Sequence, residues 1–226
     1  MISARIFAIS ISWIALLAPL TAAADLSSYR EFQFGMKLPA AIKQLGMNPS
    51  EVKLVHQRPA LLQDLEWQPG RYPGASPDAD PVKNIVFSFY NGELFRMVVN
   101  YDRYKTEGLT AEDVAAAISA KYGAATRPDA EIVFPSIFNE SVKVVARWED
   151  AENSISLVRS SYQPGFAIVM YSKRLDALAQ TAVTEALRLD EQEAPQREAD
   201  LQKKQEVENL VKEAKARLAN KASFRP

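Results

Sequence analysis

The dipeptide Asn91-Gly92 is the feature that most restricts the fold, because it separates two runs in which apolar residues alternate with polar ones. Alternation with a period of two places one side of a strand against a core, and Asn-Gly readily adopts the positive backbone angles of a two-residue hairpin turn. The apolar positions are Ile85, Phe87 and Phe89 before the turn, and Phe95, Met97, Val99 and Tyr101 after it. The sequence therefore predicts an antiparallel hairpin over residues 82–102.

Two amphipathic helices are predicted, one before each group of strands. Their apolar residues recur at intervals of three and four: Leu38, Ala41, Ile42 and Leu45 in the first, and Val114, Ala117, Ile118 and Tyr122 in the second. Gly46 and Gly123 stand where the helices should end, as C-cap glycines do. Thr110, with Asp113 three residues later, is a suitable N-cap for the second helix.

Further strands follow each helix. They are predicted around residues 61–67 in the first group, and around 132–134, 142–149, 155–157 and 166–170 in the second. Within residues 142–149, we expect the apolar side chains to share one face of the strand, namely Val142, Val144, Ala146 and Trp148. Residues 69–81, which include four prolines, and residues 150–153 are predicted turns.

A tandem repeat would explain this order of elements. Two blocks, residues 82–102 and 142–162, are each 21 residues long and both begin with Val-Lys. We therefore expect two helix-plus-antiparallel-sheet units, over about 30–105 and 106–172, within a body that spans 25–172. An antiparallel sheet needs cover on its buried face, which two amphipathic helices supply, so the predicted class is α+β.

The N-terminus has the pattern of a signal peptide. Arg5 precedes an apolar stretch over residues 6–20, and Ala22-Ala23-Ala24 provides the small residues that signal peptidase needs. We expect cleavage after Ala24, which would leave a periplasmic or secreted protein without a transmembrane anchor. An uncleaved anchor over residues 6–24 is the alternative.

The composition changes at Lys173. From there aromatic residues are absent until Phe224, glycine is absent, and Ala, Glu, Gln, Lys, Arg and Leu dominate, as in long helices. Residues 173–226 are predicted to form a charged helical tail, which Pro195 breaks or kinks. An apolar stripe follows the proline and consists of Leu201, Val207, Leu210, Val211, Ala214 and Leu218. Two interpretations stay open: a solvated or partly disordered helix, and a helix that self-associates as a coiled coil or docks on a partner.

Composition also excludes several classes of function. A formal charge of -1, from 27 basic and 28 acidic residues, argues against nucleic-acid binding, which needs a basic surface. The absence of cysteine excludes disulfides, thiol catalysis, zinc-cysteine sites and iron–sulfur clusters. His56 is the only histidine, and no glycine-rich phosphate loop or Gly-x-Ser-x-Gly elbow occurs. We therefore predict no enzyme activity, no cofactor and no metal.

Two acidic clusters are interpreted as turns. Asp78 and Asp80 lie among prolines, and Glu149, Asp150 and Glu152 fall at the tip of a predicted hairpin. Carboxylates at such positions are usually solvated.

Aromatic and basic residues gather near the turn-rich loop and the hairpin. The candidate partner-binding residues are Trp67, Arg71, Tyr72, Tyr101, Arg103 and Tyr104. Tyr, Trp and Arg are common anchors of recognition surfaces, because they bury a large area and keep a polar group. The alternative is that those on strands belong to the core.

The order of these motifs resembles that of known protein families. The Phe-x-Phe-Gly-Met run at residues 32–36 opens a short helix and hairpin strands, and Gly108-Leu109-Thr110 opens a second helix and more strands. Over about residues 30–172, this pattern resembles the repeated unit of the β-lactamase inhibitor protein and of the BamE-like outer-membrane assembly lipoproteins. The resemblance implies a periplasmic module without a catalytic centre that binds proteins through its sheet. The chain differs from those lipoproteins in lacking the lipidated cysteine and in carrying the tail.

The sequence therefore predicts an exported, non-enzymatic binding or scaffold protein of the bacterial cell envelope. Its expected partner is a protein or another envelope component. Two alternatives remain: a hydrolase of envelope polymers that uses carboxylates not identifiable from sequence, and a carrier that holds an apolar ligand between helix and sheet.

Overall fold

The computed structural model describes residues 24–70, 80–133, 141–159, 165–223 and 225. Its elements, in chain order, are β1 (Ser28–Tyr29), β2 (Phe32–Gln33), α1 (Leu38–Leu45), β3 (Lys53–His56), β4 (Leu62–Trp67), β5 (Val82–Tyr90), β6 (Glu93–Tyr101), α2 (Ala111–Tyr122), β7 (Glu131–Val133), β8 (Ser141–Glu149), β9 (Asn153–Arg159), β10 (Phe166–Ser172) and α3 (Lys173–Ser223). A two-stranded and an eight-stranded sheet combine with these helices, so the predicted α+β class with a helical tail is confirmed.

The eight-stranded sheet is antiparallel, and its order across is β3-β4-β5-β6-β10-β9-β8-β7. The centre of the sheet is formed by β6 and β10, the last strands of the first and second groups, where Val98 of β6 is opposite Val169 of β10. Read from either edge, the strands follow the same chain order, so the topology is two-fold symmetric. By position, β5 and β6 correspond to β9 and β10. The predicted match of residues 82–102 with 142–162 is therefore wrong, because the second block covers β8 and β9 and runs on into residues outside the described ones.

The Asn91-Gly92 hairpin is confirmed. Asn91 has a φ of 49° and Gly92 a φ of 78°, the positive angles that a tight two-residue turn between twisted strands requires. The Asn91 side chain accepts a hydrogen bond from the backbone N–H of Leu61 at 2.9 Å, and its own N–H donates to the carbonyl of Leu61 at 2.8 Å. The turn is thereby tied to the start of β4.

One face of the sheet, the covered face, packs against α1, α2 and the β1–β2 ribbon. Its fully buried side chains include Leu65, Phe87, Met97, Val99, Ile155, Leu157, Ile168 and Met170. The Phe32 ring lies 4.6 Å from that of Phe87, measured between centroids. Further along the covered face, the Trp148 indole N–H donates to the carbonyl of Gly123, at the end of α2, at 2.9 Å.

Both predicted helices form with the expected ends. The first ends at Gly46 with a φ of 65°, the left-handed conformation of a C-cap. The second begins with a complete capping box, in which Thr110 accepts from the N–H of Asp113 and the Asp113 carboxylate accepts from the N–H of Thr110. These caps supply partners for the backbone groups that a helix leaves free at its ends.

A β-bulge overturns the predicted face of β8. The register against β9 shifts between Val144 and Ala146, and one extra residue moves all later side chains to the opposite face. Ala146 and Trp148 therefore belong to the covered face, whereas Val142 and Val144 pack with Val158 and Val169 on the other side.

The helix α3 is continuous from Lys173 to Ser223, so the predicted break at Pro195 is wrong. Its first turns pack on the face opposite α1 and α2, where Leu175 and Ala179 contact Leu62 and Phe95. Proline at 195 removes one backbone donor from the helix. In the same turns, the guanidinium of Arg197 donates to the carbonyl of Asp190 at 3.0 Å.

Beyond Asp200 the helix leaves the body. Every side chain from 201 to 221 is exposed, including the five large apolar ones of the stripe, Leu201, Val207, Leu210, Val211 and Leu218. Among the described residues, no helix combines the length and the hydropathy needed to span a membrane.

Candidate functional site

The second face of the sheet, which we call the open face, has little cover from the described elements. The strand pairing arranges its residues in three rows that cross the sheet: Asp64, Ser88, Arg96, Tyr171, Ser154 and Glu149; Glu66, Val86, Val98, Val169, Ser156 and Arg147; and Asn84, Asn100, Ala167, Val158 and Val144. The start of α3 lies over the end of this face near the Asn91-Gly92 turn. Beyond it, the residues of these rows on β4, β5 and β6 stay half-buried. Further across the sheet, Val144, Val158 and Val169 are buried.

The first row is polar and lies next to α3. Arg96 forms an ion pair with Asp176 of α3 at 2.5 Å, and both side chains are largely buried, with 17% and 15% exposed. The guanidinium also lies 5.6 Å from the centre of the Phe95 ring. Burial raises the pKa of Asp64 above its usual value, although Ser88 and Arg96 act in the opposite direction. This row fixes α3 on the sheet through charge-assisted contacts.

The second and third rows carry a mixed surface. Val86 and Val98 lie side by side and half-buried at the centre of the sheet, with Asn100 beside them in the next row. At one margin, the carboxylate of Glu66 accepts hydrogen bonds from Asn84 at 2.8 Å and from Lys53 at 3.1 Å; its pKa is lowered, mainly by the Asn84 contact. A small apolar centre with a charged and amide margin is typical of recognition surfaces.

None of the residues in these three rows was among the partner-binding residues predicted from the sequence. The available signal was that Val86 and Val98 are β-branched and apolar at positions where a solvated strand face usually carries polar residues. Their pairing across two strands could not be predicted without the register.

The predicted partner-binding residues do not form a single surface in the described part of the chain. Trp67 and Tyr101 are half-buried against the core of the covered face. Arg103 and Tyr104 lie in the loop after β6. The Arg103 guanidinium stacks 4.4 Å from the centre of the Tyr104 ring, and Tyr104 is 69% exposed. Arg71 and Tyr72 lie outside the described residues. The set therefore stays a prediction.

Tyr101 lines a cavity on the covered side, which we call the tyrosine cavity. Its volume is about 420 Å³, within the range of small-molecule sites. Its apolar wall comes from α2, the sheet and the preceding loop, and includes Leu109, Val114, Ala117, Ile118 and Ile168. This cavity lies between helix and sheet, on the opposite side of the sheet from the open face.

Three tyrosines form the polar part of this cavity. The Tyr122 hydroxyl donates to the carbonyl of Ser28 at 3.0 Å, and the phenol groups of Tyr29 and Tyr101 lie close enough to interact electrostatically. Burial raises the pKa of Tyr101 far above its usual value and that of Tyr122 to about 12. All three phenols are thus neutral near pH 7.

The two acidic clusters have structural roles where they are described. The Asp80 carboxylate accepts hydrogen bonds from two guanidinium nitrogens of Arg30, at 2.7 and 2.8 Å. These contacts lower the pKa of Asp80. Asp150 accepts the N–H groups of Glu152 and Asn153 at 2.8 and 2.6 Å, which confirms the predicted turn. Asp78 lies outside the described residues. Within the described ranges, no three or more His, Asp or Glu side chains are close enough to hold a metal ion.

Compared with known proteins, the chain matches no protein-family model, no curated protein sequence and no solved structure at a significant level. Its function is therefore argued from its own geometry.

Proposed function

We propose that this chain is an exported, non-enzymatic binding or scaffold protein of the bacterial cell envelope, and that it binds a protein partner with its open face. The observation that carries this proposal is the unequal cover of the sheet. Two helices and a ribbon pack on one face. On the other, the first turns of α3 cover one end and Val144, Val158 and Val169 are buried, whereas the residues on β4, β5 and β6 stay half-buried. The half-buried part of the open face, on β4, β5 and β6, offers a rigid surface of neighbouring strands.

The composition of the open face supports a protein partner. Its centre holds the paired valines Val86 and Val98, and amide groups of Asn84 and Asn100 adjoin them. Apolar side chains bury area on contact, while neighbouring amides provide hydrogen bonds in both directions. A polymer of sugars or a bare anion would be matched by aromatic platforms or by unpaired basic groups, neither of which dominates these rows.

A non-enzymatic role is supported by the use of the polar side chains. Arg96 binds Asp176, Glu66 binds Asn84 and Lys53, and Arg147 donates to the Ser156 hydroxyl at 3.3 Å. These groups hold the strands and α3 in place. A general acid or base would instead be free to meet a substrate within hydrogen-bond reach.

Export is supported by the signal-peptide pattern that ends at Ala24. N-terminal sequencing of the protein recovered from the cell envelope should begin at Asp25. A sequence that begins at Met1 would contradict the export step without bearing on the open face.

Photo-crosslinking tests the binding surface. A photoreactive amino acid at Asn100, on the open face, should give one dominant protein adduct in the native host, and the same group at Lys43, exposed on α1, should give none. Val98→Asp should abolish the Asn100 adduct, whereas the matched Lys43→Asp should leave it unchanged. Adducts of equal yield from both positions, or an Asn100 adduct that survives Val98→Asp, would contradict the proposal.

A further inference from the structure

We propose that the tyrosine cavity binds an alkyl carboxylate of about ten carbons. The part of α2 that lines the cavity, from Asp113 to Lys121, is about 12 Å long at 1.5 Å per residue, which is about the length of such a chain. This site is independent of the open face, because it lies between α2 and the covered face of the sheet. A ligand would therefore add to partner binding rather than replace it.

The shape of the cavity favours a linear apolar group. Residues from successive turns of α2, at 113–114, 117–118 and 121–122, line one side of it, and Ile168 of β10 lines the other. At the rim, Leu109 leaves 45% of its surface exposed. A chain of methylene groups would cover this leucine and the wall together, and would bury apolar surface on both.

The charge at the cavity favours an anionic head group. Lys121 makes cation–π contacts, with its ammonium 4.9 Å from the centre of the Tyr122 ring and 5.9 Å from that of Tyr29. Among the described residues, no carboxylate lies within ion-pair distance of Lys121. Because the three phenols are neutral, they do not balance this charge.

The nearby carboxylates are already occupied. Asp80 binds Arg30, and Asp113 accepts from the N–H and the hydroxyl of Thr110 at 2.8 Å each. Asp25 accepts from Ser27 and Ser28. Asp25 also interacts electrostatically with Lys121, without an ion-pair contact. A ligand carboxylate would give Lys121 the direct ion pair that it lacks among the described residues, and it would lie near the ammonium of Lys105, which donates to the carbonyl of Asp80 at 3.1 Å.

Calorimetric titration of the purified exported protein with decanoate tests this site. Ala117→Phe fills the cavity and should abolish decanoate binding, whereas Ala116→Phe, on the adjacent exposed position of α2 that does not line the cavity, should bind as the wild type does. Lys121→Gln should weaken decanoate binding by about tenfold through loss of one charge-assisted contact. Lys43→Gln, in the last turn of α1 as Lys121 is in the last turn of α2, is the matched control and should have no effect.

Decanol, the neutral analogue, separates the apolar from the ionic contribution. It should bind the wild type about tenfold more weakly than decanoate does, and Lys121→Gln should leave its affinity unchanged. The proposal would be overturned by an absence of decanoate binding to the wild type, by normal binding to Ala117→Phe, or by an equal loss of decanol and decanoate affinity in Lys121→Gln. Circular dichroism of each variant verifies that α2 is intact.

Discussion

The two faces of the eight-stranded sheet are built from the same strands but differ in what packs on them. On the covered face, aromatic and aliphatic residues such as Phe87 and Leu157 are fully buried beneath helices. On the open face, Val86, next to Phe87, stays half-buried, whereas Ser156 and Val158, next to Leu157, are buried. The covered face therefore supplies most of the buried core, and the recognition that we propose concerns the half-buried part of the open face, on β4, β5 and β6.

The largest expected effect contrasts neighbouring residues of β5. Phe87→Ala should lower the free energy of unfolding by about 3–5 kcal/mol, because it removes a fully buried ring and leaves a cavity. Val86→Ala, one residue away on the open face, should cost about 1 kcal/mol or less. Urea unfolding measures both, and equal losses would break the distinction between the faces.

The next effect concerns the polar row beneath α3. Arg96→Leu should destabilise the protein by about 1–3 kcal/mol, because it leaves the largely buried Asp176 carboxylate without its partner. The double variant Arg96→Leu/Asp176→Leu should recover much of this loss. If the double variant were as unstable as the sum of the single ones, the pair would not be coupled.

A pH series separates two carboxylates with opposite pKa shifts. Burial raises the folded-state pKa of Asp64, so its ionisation should reduce the stability of the protein as the pH rises above the usual pKa of an aspartate. Asp64→Asn should remove this decline. The pKa of Asp80 is lowered by Arg30, so its contribution is present above the usual pKa and is lost as the pH falls. Unfolding measured between about pH 3 and 7 should therefore show opposite trends for Asp64→Asn and Asp80→Asn.

The smallest effect is expected in the tail. Truncation after Asp200 should change the free energy of unfolding of the body by less than about 0.5 kcal/mol, since the side chains from 201 to 221 are all exposed. Truncation from Lys173 should be far more costly, because it removes Leu175 and Ala179 from their contacts with Phe95. A large loss on the shorter truncation would show that the tail packs on the body.

Local signals predicted most of the elements but not their arrangement. The Asn91-Gly92 turn and the caps at Gly46 and Thr110 depend on nearby residues alone, so they could be read from the sequence. The edge strand β3 was missed, because Lys53–His56 has no clear alternation. The bulge at Val144 could not be predicted from the sequence, because it depends on how β8 pairs with β9.

Long-range packing also decided the candidate sites. Tyr101 was predicted as a partner-binding residue, and its position beside a cavity could not be read from the sequence, since nothing there relates it to Tyr29 or to α2. The helix likewise continues through Pro195, although proline disfavours the interior of a helix. Contacts that offset this penalty include the ion pair of Arg58 with Glu193 and the contact of Arg197 with Asp190.

Thiol labelling tests the open face most directly, because the natural chain has no cysteine and each introduced one reports on a single position. We would compare Val98→Cys on the open face with Lys43→Cys on α1, measuring reaction with a small maleimide in the purified protein and in intact cells. The account predicts that both react in the purified protein, and that only the cysteine at position 98 is protected in cells, where the partner covers it. Equal labelling of the two positions in cells, relative to the purified protein, would contradict it.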